Sequence, residues 1–210
     1  MPNLPKGYSQ AAVEKALREH VCPTSFHVVR TRFLGSIATP GPSAPLEAVK
    51  DLWGGTLPAV ESIETLNRII ELLVMGLWND LTRHQKRSEP FRLARPEVAE
   101  TRDGLARIAQ IRSEELDGFA EGLFGAADDL ELPGRANRGM DQLGEVRAMF
   151  ASVHQVATDE SIEAEAKQLA ETFRSVRELT RIAEKEIHEV VIACTKARQA
   201  AMPGSKRRTH

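Results

Sequence analysis

From Asp159 to Ala201 the chain runs without a glycine or a proline, and Met202-Pro203-Gly204 then ends the run. Such a run reads as one helix, capped at its start by Asp159 or Ser161. At about 1.5 Å of rise per residue, the segment makes a rod of roughly 60 Å. A compact domain of 210 residues measures about 45 Å across. The rod outreaches its own globule. It either breaks into a kinked pair of bundle helices, or projects as an arm and finds a partner. Ile162, Ala166, Leu169, Phe173, Val176, Thr180, Ala183, Ile187 and Val190 fall at the three-and-four spacing of a heptad seam, weakened by Thr180 and two alanines. Bare along a projecting rod, Leu169, Phe173, Val176 and Ile187 would form an apolar stripe that soluble monomers rarely expose. The expectation is self-association through these four residues, as a homodimer or by docking of one arm on a neighbouring globule.

The rest of the chain carries the same helical period. Ser9 caps a first helix to His20, with Val13, Ala16 and Leu17 on one face, and Cys22-Pro23 stops it. Thr24 or Ser25 opens a second helix through Ala38 on Phe26, Val29, Phe33 and Ile37. A stiff loop from Thr39 to Pro45 leads to a short third helix, with Pro45 in its first turn and Gly54-Gly55 at its end. Ser62 opens a long fourth helix to Arg87, striped by Ile63, Leu66, Ile69, Ile70, Leu73, Val74, Leu77, Trp78 and Leu81. A basic, Pro-containing stretch from Arg83 to Pro96 follows. Further helices are expected over Leu105 to Phe124 and Met140 to His154, with a loop at Asp128 to Asn137 between them. Alternating β-branched runs are absent; His27-Val28-Val29 comes nearest and sits inside a helical pattern. The fold class expected is all-α: a multi-helix bundle over 1–158, a long C-terminal helix or helical arm over 159–202, and a basic disordered tail over 203–210.

Composition narrows the function classes. Aromatics are 5% of the chain, so the core must be aliphatic. A formal net charge of −2 argues against bulk nucleic-acid binding. Cys22 and Cys194 have no zinc spacing and read as free thiols of a reducing compartment. The first ten residues hold no apolar signal region, and the most apolar stretch, Ile69 to Trp78, is too short to span a bilayer. The expected location is the cytoplasm, with no membrane partner.

Residues 33–125 carry an ordered set of short motifs. Phe33-Leu34-Gly35-Ser36-Ile37 closes a helix before the Pro40-Gly41-Pro42 loop. A short helix ends on Leu52-Trp53-Gly54-Gly55, and a long one carries Leu72 to Asp80, LLVMGLWND. Glu89-Pro90-Phe91 and Gly118-Phe119-Ala120-Glu121-Gly122 follow. This order resembles the YecA/YgfB-like family of all-helical bacterial proteins. The first motif departs from the family's Leu-Asp-Gly-Phe-Leu type, with Thr31-Arg32 in place of Asp-Gly. The Cys-rich zinc motif that ends many members is absent, so zinc is not carried over. The resemblance implies an α-helical bundle and no particular reaction.

Catalytic, metal and cofactor apparatus is not apparent. His188-Glu189 lacks the second histidine of a zincin, and no Glu-x-x-His pair of a carboxylate bundle exists. Glu184 and His188, one turn apart, read as a solvated face. His27, His84 and His154 read as surface or half-buried side chains, and Cys22 and Cys194 as buried structural thiols. No nucleophile elbow and no S-x-x-K appears. Gly118, Gly122 and Gly125 lie in a helical pattern with no strand before them, and read as small residues that let helices approach. Trp53 and Trp78 read as anchors seating the third helix on the fourth. Arg83, Lys86, Arg87, Arg92 and Arg95 form the candidate interaction surface, with Lys206-Arg207-Arg208 as a second basic segment. The expected function is a non-enzymatic interaction or regulatory adaptor, oligomeric or bound to another protein. Its alternatives are an enzyme or small-molecule binder with a pocket near Trp53, Trp78 and Phe119, and a nucleic-acid-associated regulator if both basic segments share one face.

Overall fold

The computed structural model describes residues 9–41, 44–125, 130–161 and 166–201. Its elements are α1 (Gln10–Glu19), α2 (Phe26–Ala38), α3 (Pro45–Asp51), α4 (Ile63–Ile70), a π-helical stretch (Glu71–Trp78), α5 (Asn79–Leu81), a 3-10 turn (Thr82–Gln85), α6 (Arg102–Phe124), α7 (Gly134–Thr158) and α8 (Ala166–Ala201). No strand occurs among the described residues. Side-chain caps start the elements where the sequence places them. Ser9 Oγ accepts from the Ala12 amide and Ser62 Oγ from the Thr65 amide, at 3.3 and 3.1 Å. α6 opens three residues before the expected Leu105 because Thr101 Oγ1 accepts from the Gly104 amide at 3.2 Å. α7 runs longer at both ends than the expected Met140 to His154.

α2, α6, α7 and α8 pack in succession as the frame of the bundle. The α2–α6 crossing is close because both sides lack a Cβ where they meet. A Cβ on Gly35 would run into the Phe119 carbonyl oxygen, and one on Gly122 into that of Arg32. Gly118 faces Thr31 and Val28 across the same crossing. The helix-approach reading of Gly118 and Gly122 therefore holds; Gly125 instead ends α6 with φ of 55°. Trp78 is buried edge-on to Phe33, 5.4 Å between ring centroids. Trp53 is partly buried against the core and has a further role. Its indole Nε1 donates to the His20 carbonyl at 2.9 Å and so ties the end of α3 to the end of α1.

The fourth helix is not the single α-helix to Arg87 that its stripe suggests. Its deeply buried residues, Ile69, Leu73, Leu77 and Leu81, recur every four positions. Four α-helical residues overshoot one turn by about 40°, so such a row drifts off the core. A wider π turn, closed by i→i+5 bonds, drifts the other way and keeps the row facing inward. The helical rod ends at Gln85. Ile63, expected in the core, is 72% exposed at the outer end.

The largest correction concerns the last helix. α7 ends at Thr158, where Asp159 Oδ1 turns the chain by accepting from the Ser161 amide at 2.9 Å. α8 then has 36 residues, a rod of about 54 Å. It does not project. Phe173, Val176 and Ile187 are buried in the same core as α2, α6 and α7, and Leu169 is half-buried against it. The heptad face is the face docked on the bundle, so the bare apolar stripe invoked for self-association does not exist. Packing continues to the far end, where Arg198 donates to the carbonyls of Ile37 and Thr39 at 3.0 and 3.4 Å and to Gln85 Oε1 at 2.9 Å. These bonds satisfy carbonyls that the end of α2 leaves open. Ile162 of the seam, and the basic Lys206-Arg207-Arg208, lie outside the described residues.

Candidate functional site

Residues 86–101 contain neither helix nor strand, yet side chains from three helices bond the backbone of this stretch. Prolines at 90 and 96 keep it extended. Phe91 and Leu93 point into the core, while Arg92 and Arg95 are exposed. That is the alternation of a strand, without a neighbouring strand to bond to. Buried backbone polar groups need partners, and charged side chains supply them. The Leu93 amide donates to Glu184 Oε1 at 3.1 Å, and the Ala94 amide to Glu115 Oε1 at 2.7 Å. The Ala94 carbonyl accepts from Arg112 Nη2 at 2.7 Å, and that of Arg92 from Arg30 Nη2 at 3.1 Å. This strap is thus stitched to α2, α6 and α8 by two carboxylates and two guanidinium groups.

Arg112 and Glu115 form an ion pair inside the protein, 5% and 0% exposed. Burial pushes the Glu115 carboxyl above its usual range, against the pull of Arg112 and of the Ala94 amide. Arg112 Nε also donates to Thr180 Oγ1 at 3.1 Å, which links the pair to α8. At the strap's start His84 is buried, against the expectation of a surface or half-buried ring, because it packs edge-on to Phe91 at 5.2 Å. Its Nδ1 bonds the Glu89 carbonyl at 2.8 Å, so Nδ1 carries the proton, and burial lowers its pKa. Glu184 and His188 are likewise not a solvated face. Both are buried under the strap; Glu184 Oε2 holds Arg92 Nη1 at 2.6 Å, and His188 Nε2 donates to the Arg87 carbonyl at 3.4 Å.

Between strap, α6 and α8 lies an open groove of roughly 600 Å³. Val98, Ile108, Phe173 and Val176 make its floor. Five arginines reach it: Arg92 and Arg95 from the strap, Arg112 from α6, Arg177 and Arg181 from α8. Glu184 is the one acidic residue lining it. The basic run read from the sequence is thereby divided. Arg92 and Arg95 belong to the groove; Arg83 pairs with Asp80 at 3.2 Å, and Arg83, Lys86 and Arg87 do not line it. Arg112, Arg177 and Arg181 were not among the candidates. Each looks like an ordinary helix-face arginine, and only the strap's path shows what they share.

The remaining polar clusters have other geometry. Ser25, His27 and Glu114 meet, but Ser25 Oγ and Glu114 Oε2 both bond the same ring nitrogen, Nε2, at 3.1 and 2.8 Å. A hydrolase triad divides nucleophile and acid between the two nitrogens. His154 Nδ1 is engaged by the Ala106 carbonyl at 3.0 Å. Cys194 is buried, its thiol pushed up to about 11 by burial. Cys22 is only half-buried and bonds the Leu52 carbonyl at 3.7 Å. Among the described residues no group of three or more His, Cys, Asp or Glu is arranged to hold a metal, and no helix is long and apolar enough to cross a membrane. A second groove, of roughly 960 Å³ between α1 and α4, mixes Lys15, His20 and Arg68 with Glu19, Glu64 and Glu71 and so has no dominant sign. No protein-family model, no characterised protein and no solved structure matches this chain.

Proposed function

We propose that the chain is a non-enzymatic interaction or regulatory adaptor that engages an acidic protein partner at the groove between the strap and α8. The observation that carries this reading is the convergence of Arg92 and Arg95 from the strap with Arg177 and Arg181 from α8 on one apolar-floored groove, Arg112 below them being held in its buried pair with Glu115. Arginine is enriched where proteins dock, since its planar fork binds carboxylates in pairs and its stem covers apolar surface. The exposed ion pairs on the rim are weak and exchangeable. Arg177–Glu100 spans 3.2 Å with both side chains more than half exposed, and Arg181 pairs with Glu178 one turn away. Such pairs contribute about 0–1 kcal/mol each. The likeness of residues 33–125 to YecA/YgfB-like proteins belongs to the same proposal; it supports a helical scaffold and adds no reaction. A cytoplasmic setting fits the free thiols of Cys22 and Cys194.

The test is purification of the native protein with its partner, in parallel with an Arg95→Glu/Arg181→Glu variant. The expected outcome is a defined complex whose second component is lost from the variant while the melting temperature holds. A partner retained by the folded variant refutes the groove as the docking surface, and a native chain that purifies alone refutes the adaptor reading. Mass determination of the complex distinguishes a second copy of this chain from a different protein.

A further inference from the structure

Resting on that reading, we infer that the groove takes an acidic amphipathic helix of the partner protein, laid along α8 with an aliphatic side chain on the groove floor. Three features select this ligand over other anions. The first is the arrangement of charge. Arg177 and Arg181 are one turn apart on α8, about 6 Å between Cβ atoms, and Arg92 and Arg95 face them from the strap. Arg95 has no ion-pair partner among the described residues. Arg177 and Arg181 thus repeat every turn along α8, with Arg95 as a further charge from the strap while Arg92 is held by Glu184, and a one-turn repeat suits carboxylates on a helix. A compact anion would need the charges gathered at one point.

The second feature is that neither a helix N-terminus nor a glycine loop lines the groove. Phosphate sites are built on free amides at a helix N-terminus or a glycine loop. Here α6 and α8 pass the groove in mid-helix, and the strap amides of Leu93 and Ala94 already serve Glu184 and Glu115. Glu184 also stands in the wall, where it opposes a multiply charged group placed deep and tolerates carboxylates at the rim. The third feature is the floor. Val98, Ile108, Phe173 and Val176 offer apolar contact that a phosphate backbone does not use and a leucine does. A helix that lays an apolar face in a groove and flanks it with charge uses both.

The test uses the full chain and a fluorescent peptide of about 16 residues, long enough for four turns, with leucines on one face and glutamates flanking them. Anisotropy is compared with a peptide in which every Glu is Gln, and with one in which every Leu is Ser. Inorganic phosphate, ATP and a single-stranded oligonucleotide are added as competitors. The acidic amphipathic peptide is expected to bind, with affinity falling as salt rises. Each altered peptide is expected to lose roughly tenfold or more. Arg177→Glu/Arg181→Glu is expected to lose at least as much, and Arg18→Glu on the exposed face of α1 is expected to lose nothing. Equal binding of the Leu-to-Ser peptide overturns the apolar anchor. Displacement by phosphate or oligonucleotide at lower concentration than by unlabelled peptide overturns the ligand class. Peptide failure together with a groove-dependent native complex overturns the helix while leaving the docking surface in place; loss of both overturns both.

Discussion

Arg112→Ala tests the strap directly. The wild-type guanidinium pairs with Glu115, donates to the Ala94 carbonyl and reaches Thr180. Truncation leaves a carboxylate that is 0% exposed without its counter-ion. Breaking a buried pair from one side costs about 3–5 kcal/mol. For a chain of this size each kcal/mol moves the melting temperature by about 2–4 °C, so the expected drop is roughly 6–20 °C. The loss should also depend on pH. Burial already holds the Glu115 carboxyl above its usual range, with Arg112 the largest opposing influence. Removing Arg112 pushes it higher, while the unfolded carboxyl stays near about 4.3. Between those two values the folded state keeps a proton that the unfolded state has released, so stability falls as pH rises through the window. The variant should therefore regain part of its deficit relative to wild type as pH is lowered from about 7.5 to about 5. Arg112→Met/Glu115→Gln, which leaves neither charge, should cost less than the sum of its single changes. Urea denaturation of wild type, Arg112→Ala, Arg112→Met, Glu115→Gln and the double variant at both pH values supplies the measurement. A loss under about 1 kcal/mol, or a deficit that ignores pH, would refute the reasoning.

Gly122→Ala places a methyl against the Arg32 carbonyl; overpacking of this kind should cost about 2–3 kcal/mol in denaturant titrations, and an unchanged midpoint would show that the α2–α6 crossing is looser than described. Trp78→Ala removes a buried ring packed on Phe33 and should cost about 3–5 kcal/mol by the same assay; an unchanged melting temperature would reject a core role. At mildly alkaline pH, Cys194, with its thiol pushed up to about 11, should resist iodoacetamide in the native state. Half-buried Cys22 should be alkylated first, and the reverse order on peptide mapping would contradict the packing of α8.

The helical fold was legible because its signals are local. Ser9 and Ser62 announce their helices, Pro45 opens α3, and four-spaced Ile69, Leu73, Leu77 and Leu81 mark one inward face. The fate of α8 was not legible, for a physical reason. Periodicity shows that Phe173, Val176 and Ile187 share a face, but not whether a partner chain or the same chain covers it. The cover comes from the neighbouring α7 and from α2, α6 and the 3-10 turn, which are remote in sequence. The site was half legible. Arg92 and Arg95 stood out in a basic run, and the prolines at 90 and 96 marked an extended stretch. Glu115 and Glu184 gave no sign of their role, because a carboxylate that replaces a missing strand partner looks in sequence like any helix-surface glutamate. The π stretch had no signature beyond its four-residue row.

The most direct measurement is amide chemical-shift mapping of the labelled protein as the acidic amphipathic peptide is added. The account predicts perturbations centred on Arg95, Val98, Arg177, Thr180 and Arg181, which line one groove, with the same peaks needing roughly tenfold or more of the peptide whose glutamates are glutamines to move as far. Shifts gathered instead at Lys15, Arg68 and Glu71 of the α1–α4 groove, or absent at saturating peptide, would contradict it.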